Sequence, residues 1–432
     1  RIEVKICHEV YDIDPEERIL TIKDQRTGRV FTDHYDKLVL ATGARPFVPP
    51  VEGADSGHVF TLRSVQDAIA IRDYITSMNP RTAVIAGTGF IGMEMLENLQ
   101  ESGIRVTMVE LMDTITPNLD PDMALYLKNL LTDRNIRILT SAGIERITES
   151  EVYLGDGEVL EADLVILATG VRPETALARR MGIHLGSTGA IAVNDAMQTS
   201  LEDVYACGDC IETFSYVTGK PAYHPLGSTA NKTGRIAGDA LTGGTLRYRG
   251  NLGTGIFKLF DLTVASTGLT ETAARKEGFQ VEVCHNIKPD RPSYYQGEEM
   301  VIKGVADRMS GRLLGVQIIG TAGVDKRIDV FASLITCKAC VEDLFHLDLA
   351  YAPPFSTTKD PVHYTGMILE NAIHQDRCLV TADQVRSRPD DYQIVDARSR
   401  TDYDRKGHVE GAISIPLALL RENIGSLDPG KT

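Results

Sequence analysis

Thr82-Ala83-Val84-Ile85-Ala86-Gly87-Thr88-Gly89-Phe90-Ile91-Gly92, followed 18 positions past Gly92 by Glu110, decides the fold. The first five residues are an apolar run that reads as a buried strand, and Gly87-x-Gly89-x-x-Gly92 opens a helix to about Ser102. A second strand, Arg105–Val109, ends in Glu110. A glycine triplet alone is a weak signal, but strand, turn, helix, strand and acid in this order make a dinucleotide-binding βαβ unit. Gly87 allows the tight turn, Gly89 lets a pyrophosphate approach the backbone, and Gly92 lets the helix pack on the strand. The helix N-terminus offers free N–H groups and its positive dipole end to phosphate. Glu110 is expected to accept from the adenosine ribose hydroxyls and to repel a 2′-phosphate. No Arg follows among Leu111, Met112 and Asp113, so NADH is expected rather than NADPH. Glu94, just inside the helix, reads equally as a solvated first-turn acid or as a group near the nicotinamide.

On either side of this unit stands nearly the same seven-residue stretch, Leu40-Ala41-Thr42-Gly43-Ala44-Arg45-Pro46 and Leu167-Ala168-Thr169-Gly170-Val171-Arg172-Pro173. Each ends a short apolar strand, at 35–41 and 163–168. Two copies flanking one dinucleotide unit are not readily explained by chance. A further buried strand, Val204–Cys207, runs into Gly208-Asp209. A carboxylate there can accept from sugar hydroxyls, and the glycine before it lets a cofactor come close. A helix from about Ser228 to Leu241 follows; Ser228 and Thr229 also suit simple N-capping.

The remaining chain divides by pattern. Strands are expected at Arg1–Ile6, Arg18–Lys23 and, after a Thr27-Gly28 turn, Val30–Thr32. A Pro-rich loop (Arg45 to Pro50) and a helix from Ser64 to Thr76 follow. Strands and helices then alternate to Thr169, which implies a parallel sheet covered by helices. From Arg247 to His374 strands precede helices, the order of a separate α+β domain. Beyond Arg377 come helix Ala382–Arg388, strand Gln393–Asp396, helix Arg400–Lys406 and strand Ile413–Ile415.

Composition narrows the function classes. At 432 residues the chain is too long for one core. Its net charge of −15, without a block of Lys or Arg, disfavours a nucleic acid or an anionic membrane as partner. No apolar run approaches the ~20 residues that span a bilayer. Seven irregularly spaced cysteines suit a reducing compartment, so the cytoplasm is expected. Cys207-x-x-Cys210 and Cys337-x-x-Cys340, the latter expected on a helix, lack two further ligands for zinc; no metal is expected, and all four read as small buried thiols.

The paired Ala-Thr-Gly turns, the fingerprint between them and Val204-Tyr205-Ala206-Cys207-Gly208-Asp209 resemble the flavoprotein disulfide reductases with two dinucleotide folds. The resemblance implies FAD as well as NADH, with Asp209 on the ribityl chain and Thr42, Gly43, Thr169, Gly170, Gly208 and Ala230 at the cofactors. It narrows to coenzyme A disulfide reductases and NADH-dependent persulfide reductases at Leu226-Gly227-Ser228-Thr229-Ala230-Asn231-Lys232, Glu342-Asp343-Leu344-Phe345, Ala350-Tyr351-Ala352-Pro353-Pro354-Phe355 and Lys359-Asp360-Pro361. In that branch the C-terminal domain makes a homodimer and lends side chains to the partner's site. Tyr351 would approach the redox centre and Lys359 the anionic end of a coenzyme A substrate. A packed Tyr and an exposed Lys at a helix start are the plain alternative.

Ile394-Val395-Asp396-Ala397-Arg398 and Gly407-His408-Val409-Glu410-Gly411-Ala412-Ile413-Ser414-Ile415-Pro416 resemble the beginning of a rhodanese domain, which needs a sulfur-carrying Cys; none follows Cys378. The expected fold is therefore α/β. Two Rossmann-like domains lie at 1–77 with 194–246 (FAD) and at 78–193 (NAD), an α+β dimerisation domain at 247–375, and a partial rhodanese domain at 376–432. The resemblance also implies a Gly-rich FAD unit and a redox cysteine ahead of Arg1, so the chain is expected to be truncated. An NADH oxidase or peroxidase on the same scaffold, or an inactive fragment keeping only dimer contacts, are the rival readings.

Overall fold

The computed structural model describes residues 2–375 and 377–431. Arg1, Asp376 and Thr432, on which the first expected strand and the last domain bounds fall, lie outside them. The chain forms two compact units, a larger one ending at Ile373 and a smaller one beginning at His374.

In the larger unit a parallel sheet holds five strands in the order Val59–Phe60, Leu164–Leu167, Thr82–Ala86, Arg105–Val109, Arg137–Leu139. Thr82–Ala86 and Leu164–Leu167 are buried at every position. Covering on both faces is why the sequence there shows unbroken apolar runs instead of alternation. Met93, Leu96 and Leu99 of helix Phe90–Glu101 and Met123, Leu127 and Leu131 of helix Pro121–Thr132 share one core with Ile85 and Met108 of the sheet. Outside it, Leu38–Leu40 pairs in parallel with Val204–Ala206. Ala44–Pro46 and Val171–Pro173, the continuations of the two Ala-Thr-Gly turns, pair with each other as an antiparallel ribbon.

The stretch after Arg247 is an antiparallel sheet in the order Gly255–Leu259, Leu262–Gly268, Leu313–Gly320, Glu299–Asp307, Val281–Pro289. Ile328, Phe331 and Ile335 of helix Val324–Thr336 and Val362 and Leu369 of helix Pro361–His374 join its core. Where this sheet meets helix Pro121–Thr132, the buried Lys303 places Nζ 2.8 Å from Asp122 Oδ2, 2.8 Å from Glu271 Oε2 and 3.4 Å from Asp120 Oδ2. Burial would raise both aspartates, but Lys303 and neighbouring hydrogen-bond donors hold them below the usual carboxylate range. The two sheets are thus tied by charge through a buried Lys303–Asp120 pair, with Asp122 and Glu271 partly exposed at its edge.

In the smaller unit, Thr381 caps helix Ala382–Ser387, Val395–Asp396 pairs in parallel with Ile413–Ser414, and helix Arg400–Arg405 lies between them in sequence.

Three expectations are corrected. The first strand is His8–Asp14, not Arg1–Ile6: Ile2, Val4 and Ile6 alternate but are exposed, Cys7 turns the chain at φ +59°, and pairing starts with His8 opposite Asp24. Cys337 and Cys340 are not on a helix. Cys337 ends Val324–Thr336, Lys338 takes a left-handed φ of +58°, and Cys340 precedes helix Val341–Phe345; Cys337 is exposed, not a buried thiol. Ser228 and Thr229 do not cap. The cap position is Leu226, without a side-chain bond, and both residues lie in the first turn of Gly227–Leu241.

Candidate functional site

The nicotinamide loop is built as tightly as its glycines demand. Gly87 has φ +99°, and a Cβ there would lie 2.4 Å from the Ala168 carbonyl oxygen. A Cβ on Gly92 would lie 2.1 Å from the Gly87 carbonyl oxygen, whereas nothing stands within 4 Å of one on Gly89. Gly89 is also the cap position of helix Phe90–Glu101 and no side chain bonds the helix end. The backbone here is open and its N–H groups are free of side-chain caps, which fits a pyrophosphate.

Glu110, 9% exposed, is engaged within the chain. Its Oε2 accepts from the Thr88 N–H at 2.9 Å and the Thr88 hydroxyl at 2.6 Å, and its Oε1 from the Met112 N–H at 3.0 Å. The carboxylate therefore braces the glycine loop, with lone pairs left for a ribose hydroxyl. Thr88 is a part of this site that the glycine pattern hid, being one of its variable positions. Partial desolvation, and then the charge of Glu97, push the Glu94 carboxyl up.

The Ala-Thr-Gly turns stitch the chain to itself. The Thr42 hydroxyl donates to the Glu174 carbonyl at 2.6 Å and the Thr169 hydroxyl to the Phe47 carbonyl at 2.6 Å. The Glu174 N–H donates to the Gly43 carbonyl at 2.9 Å and the Phe47 N–H to the Gly170 carbonyl at 2.9 Å. Both glycines have left-handed φ, +71° and +94°, with nothing within 4 Å of an added Cβ. The threonine side chains are thus committed to the ribbon, and the glycines leave space above it.

At the turn expected to meet the flavin, Gly208 has φ +80° and a Cβ on it would meet only the Ala230 Cβ, at 3.8 Å. The Gly208 N–H donates to the Thr233 hydroxyl at 3.1 Å, which fixes the turn against helix Gly227–Leu241. Asp209 Oδ2 accepts from Arg63 Nη2 at 2.6 Å, while Asp209 Oδ1 is buried without any hydrogen-bond partner. An orphaned carboxylate oxygen is costly unless a donor arrives, and a sugar hydroxyl of FAD is such a donor. Arg63, absent from the sequence reading, also donates from Nε to the Ala44 carbonyl at 3.3 Å. Tyr223 donates to the Asp209 carbonyl at 2.9 Å, and burial pushes its phenol up to about 12. The residues present fit FAD and a nicotinamide dinucleotide.

Tyr351 and Lys359 are both exposed, in a segment of the C-terminal sheet domain separate in sequence from these two sites. The N-terminus of helix Pro361–His374 is already taken by Asp360, whose Oδ1 accepts from the Val362 N–H at 3.0 Å. The Lys359 ammonium stands there for an anion, with Lys326 4.0 Å from Asp360 and Lys288 over the Tyr364 ring nearby. Cys207, Cys210 and Cys284 are buried, Cys340 is partly buried, and no cysteine is in a disulfide. Among the described residues no group of three or more His, Cys, Asp or Glu is placed to hold a metal ion, and no helix is long and apolar enough to cross a membrane.

Residues 1–230 match the pyridine nucleotide-disulphide oxidoreductase model, 255–361 its dimerisation domain and 381–432 a rhodanese-like domain. The chain is 37% identical over 376 residues to the NAD(P)H coenzyme A polysulfide/persulfide reductase of Pyrococcus horikoshii, covering 85% of this chain and 83% of that protein. It is 36% identical over 359 residues to a protein of Methanocaldococcus jannaschii named NADH oxidase, covering 82% and 79%. Among solved structures, reduced Bacillus anthracis CoADR-RHD superposes with a TM-score of 0.94 at 38% identity, covering 98% of this chain and 77% of that one.

Proposed function

Because the chain belongs to the pyridine nucleotide-disulphide oxidoreductase family, we propose that it is an NADH-dependent flavoprotein reductase of disulfide or persulfide substrates, namely coenzyme A disulfide, coenzyme A persulfide or polysulfide. The observation that carries the reading is the buried, unpartnered Asp209 Oδ1 in the same unit as a braced Gly87–Gly92 loop. When bound, NADH would supply a hydride and FAD an electron pair to a cysteine facing the sulfur substrate.

The chain's own residues orient these groups. Gly89 and the first N–H groups of its helix receive a pyrophosphate, Glu110 a ribose, and Asp209 a sugar hydroxyl while Arg63 holds it in place. Thr42, Gly43, Thr169 and Gly170 line the paths of the two cofactors, and Gly208 and Ala230 leave the flavin room. Tyr351, from the partner subunit of a homodimer, donates its hydroxyl to a sulfur anion. Lys359 meets a phosphate of coenzyme A as a point charge. The match to a dimerisation domain and the exposed Tyr294, Phe345 and Phe355 in the same domain as Tyr351 support the dimer. Seven unpaired cysteines support a cytoplasmic setting. The domain bounds given above are part of the same proposal.

The test is anaerobic NADH oxidation by the FAD-loaded protein with coenzyme A disulfide, coenzyme A persulfide and polysulfide, set against dioxygen alone. Turnover with a sulfur substrate supports the reading. Turnover with dioxygen only would transfer the chain to the oxidase reading.

A further inference from the structure

Residues 347–360, which carry Tyr351 and Lys359, form neither helix nor strand, yet the segment is held from inside at both ends. Arg327, 1% exposed on helix Val324–Thr336, uses every nitrogen of its guanidinium. Nε donates to Asp360 Oδ2 at 3.2 Å. Nη2 donates to Asp360 Oδ2 at 2.8 Å, to the Asp290 carbonyl at 2.9 Å and to the Ser356 hydroxyl at 3.3 Å. Nη1 donates to the Gly323 carbonyl at 3.2 Å. Asp360 further accepts from the Ser356 hydroxyl at 2.6 Å. Burial would raise its carboxyl, but these donors hold it below the usual carboxylate range.

At the other end His363 joins two points of the same segment. Its Nδ1 accepts from the Asp360 N–H at 3.1 Å, which leaves the ring proton on Nε2, and Nε2 donates to the Leu347 carbonyl at 3.0 Å. The segment thus runs out from Leu347 and back to Asp360 with both feet on one histidine, and with the returning foot locked to Arg327.

We propose that Arg327 and His363 are positioning residues that fix the 347–360 segment, so that the Tyr351 hydroxyl and the Lys359 ammonium are presented to substrate without first having to be ordered. The proposal rests on the roles given above to Tyr351 and Lys359. A forked guanidinium suits the task because it sets direction as well as charge, which a lysine does not.

The test uses the FAD-loaded protein with Arg327→Lys, which keeps the charge and loses the fork, and His363→Phe, which keeps a ring and loses both bonds. Backbone hydrogen exchange of residues 348–359 should accelerate about tenfold or more in each, with strands Glu299–Asp307 and Leu313–Gly320 unchanged. The Michaelis constant for coenzyme A disulfide should rise about three- to tenfold, with kcat within about twofold and a smaller rise for polysulfide, which meets Tyr351 but has no phosphate for Lys359. If Arg327→Lys does not fold, His363→Phe decides alone. Folded variants with parental exchange, or with kcat lost and the Michaelis constant kept, overturn the proposal. Lys359→Ala is run beside them. If it is silent toward coenzyme A disulfide, the Lys359 reading fails on its own account, and the exchange data still decide whether the clamp exists.

Discussion

Lys303→Met removes the cation that ties the parallel sheet to the antiparallel one while keeping the volume of the side chain. Lys303 Nζ and the Asp120 carboxylate are each buried, their side chains 1% exposed. Removing one partner of a buried pair costs about 3–5 kcal/mol. Asp120 keeps other donors, from Gln317 Nε2 at 2.6 Å and from the N–H groups of Glu271 at 2.8 Å and Thr272 at 3.0 Å. The low end, about 3 kcal/mol, is therefore expected, or a fall of about 4 °C in Tm for a cooperative unit that ends at Ile373. The pH dependence gives a sharper check. Desolvation would lower Lys303, but the surrounding carboxylates raise it, so its contribution is complete below the unfolded value of about 10.4 and is lost as pH rises through the folded one. Asp120 and Asp122 are lowered, so theirs is present above about 3.9 and lost as pH falls through their folded values. The parent cluster is thus at full strength between about pH 5 and 10. In Lys303→Met the carboxylates take up protons more readily, so the gap to the parent should narrow as pH falls from about 8 to 5. Thermal unfolding followed by circular dichroism measures this. A loss under about 1 kcal/mol, or a gap that does not narrow toward acid, would refute the reasoning.

Glu110→Gln should raise the NADPH-to-NADH efficiency ratio about tenfold by removing a like charge, and should weaken NADH itself because the Met112 N–H loses an acceptor; a steady-state ratio within twofold of the parent counts against Glu110. Asp209→Asn keeps the shape but gives up the charge paired with Arg63, so FAD should bind about tenfold more weakly in a fluorescence titration, and unchanged affinity removes Asp209 from the flavin site. Maleimide should label the exposed Cys7, Cys337 and Cys378 in the native chain and reach Cys207, Cys210 and Cys284 only after unfolding. Burial pushes the Cys284 thiol up to about 12, and rapid native labelling there would contradict its packing.

Strand Thr82–Ala86 is legible to the residue because a buried parallel strand leaves an unbroken apolar run before a glycine turn, and Arg105–Val109 because Gly103 and Glu110 bound it. Ile2, Val4 and Ile6 mislead because alternation reports a two-faced strand but not whether a partner strand lies beside it. Lys303 reads as surface in any sequence. Asp120, Asp122 and Glu271, 183, 181 and 32 positions away, make its burial tolerable, and such distant compensation leaves no local trace. Arg63 and Arg327 are hidden for the same reason: their partners Asp209 and Asp360 lie 146 and 33 residues on. Cys337 and Cys340 do not share a helix because the left-handed turn at Lys338 ends it, and a Lys before Val341 leaves no local sign of that turn. The glycine loop and the Gly208-Asp209 turn were visible because their backbone geometry leaves few residue choices.

The ribbon that pairs Ala44–Pro46 with Val171–Pro173 makes everything between its strands a cassette. Antiparallel partners such as Pro46 and Val171 lie only about 5 Å apart, a gap that a two-residue turn closes. Residues 47–170 therefore leave and re-enter at one place, beside the strands Leu38–Leu40 and Val204–Ala206, which pair directly across the insertion, while Arg63 reaches back from it to Asp209. Insertions with adjacent ends are the ones that folds accept and exchange most readily. A different nicotinamide module grafted at this ribbon would change the choice of reductant, but it would have to bring its own counterpart of Arg63, which braces Asp209 from within the insertion.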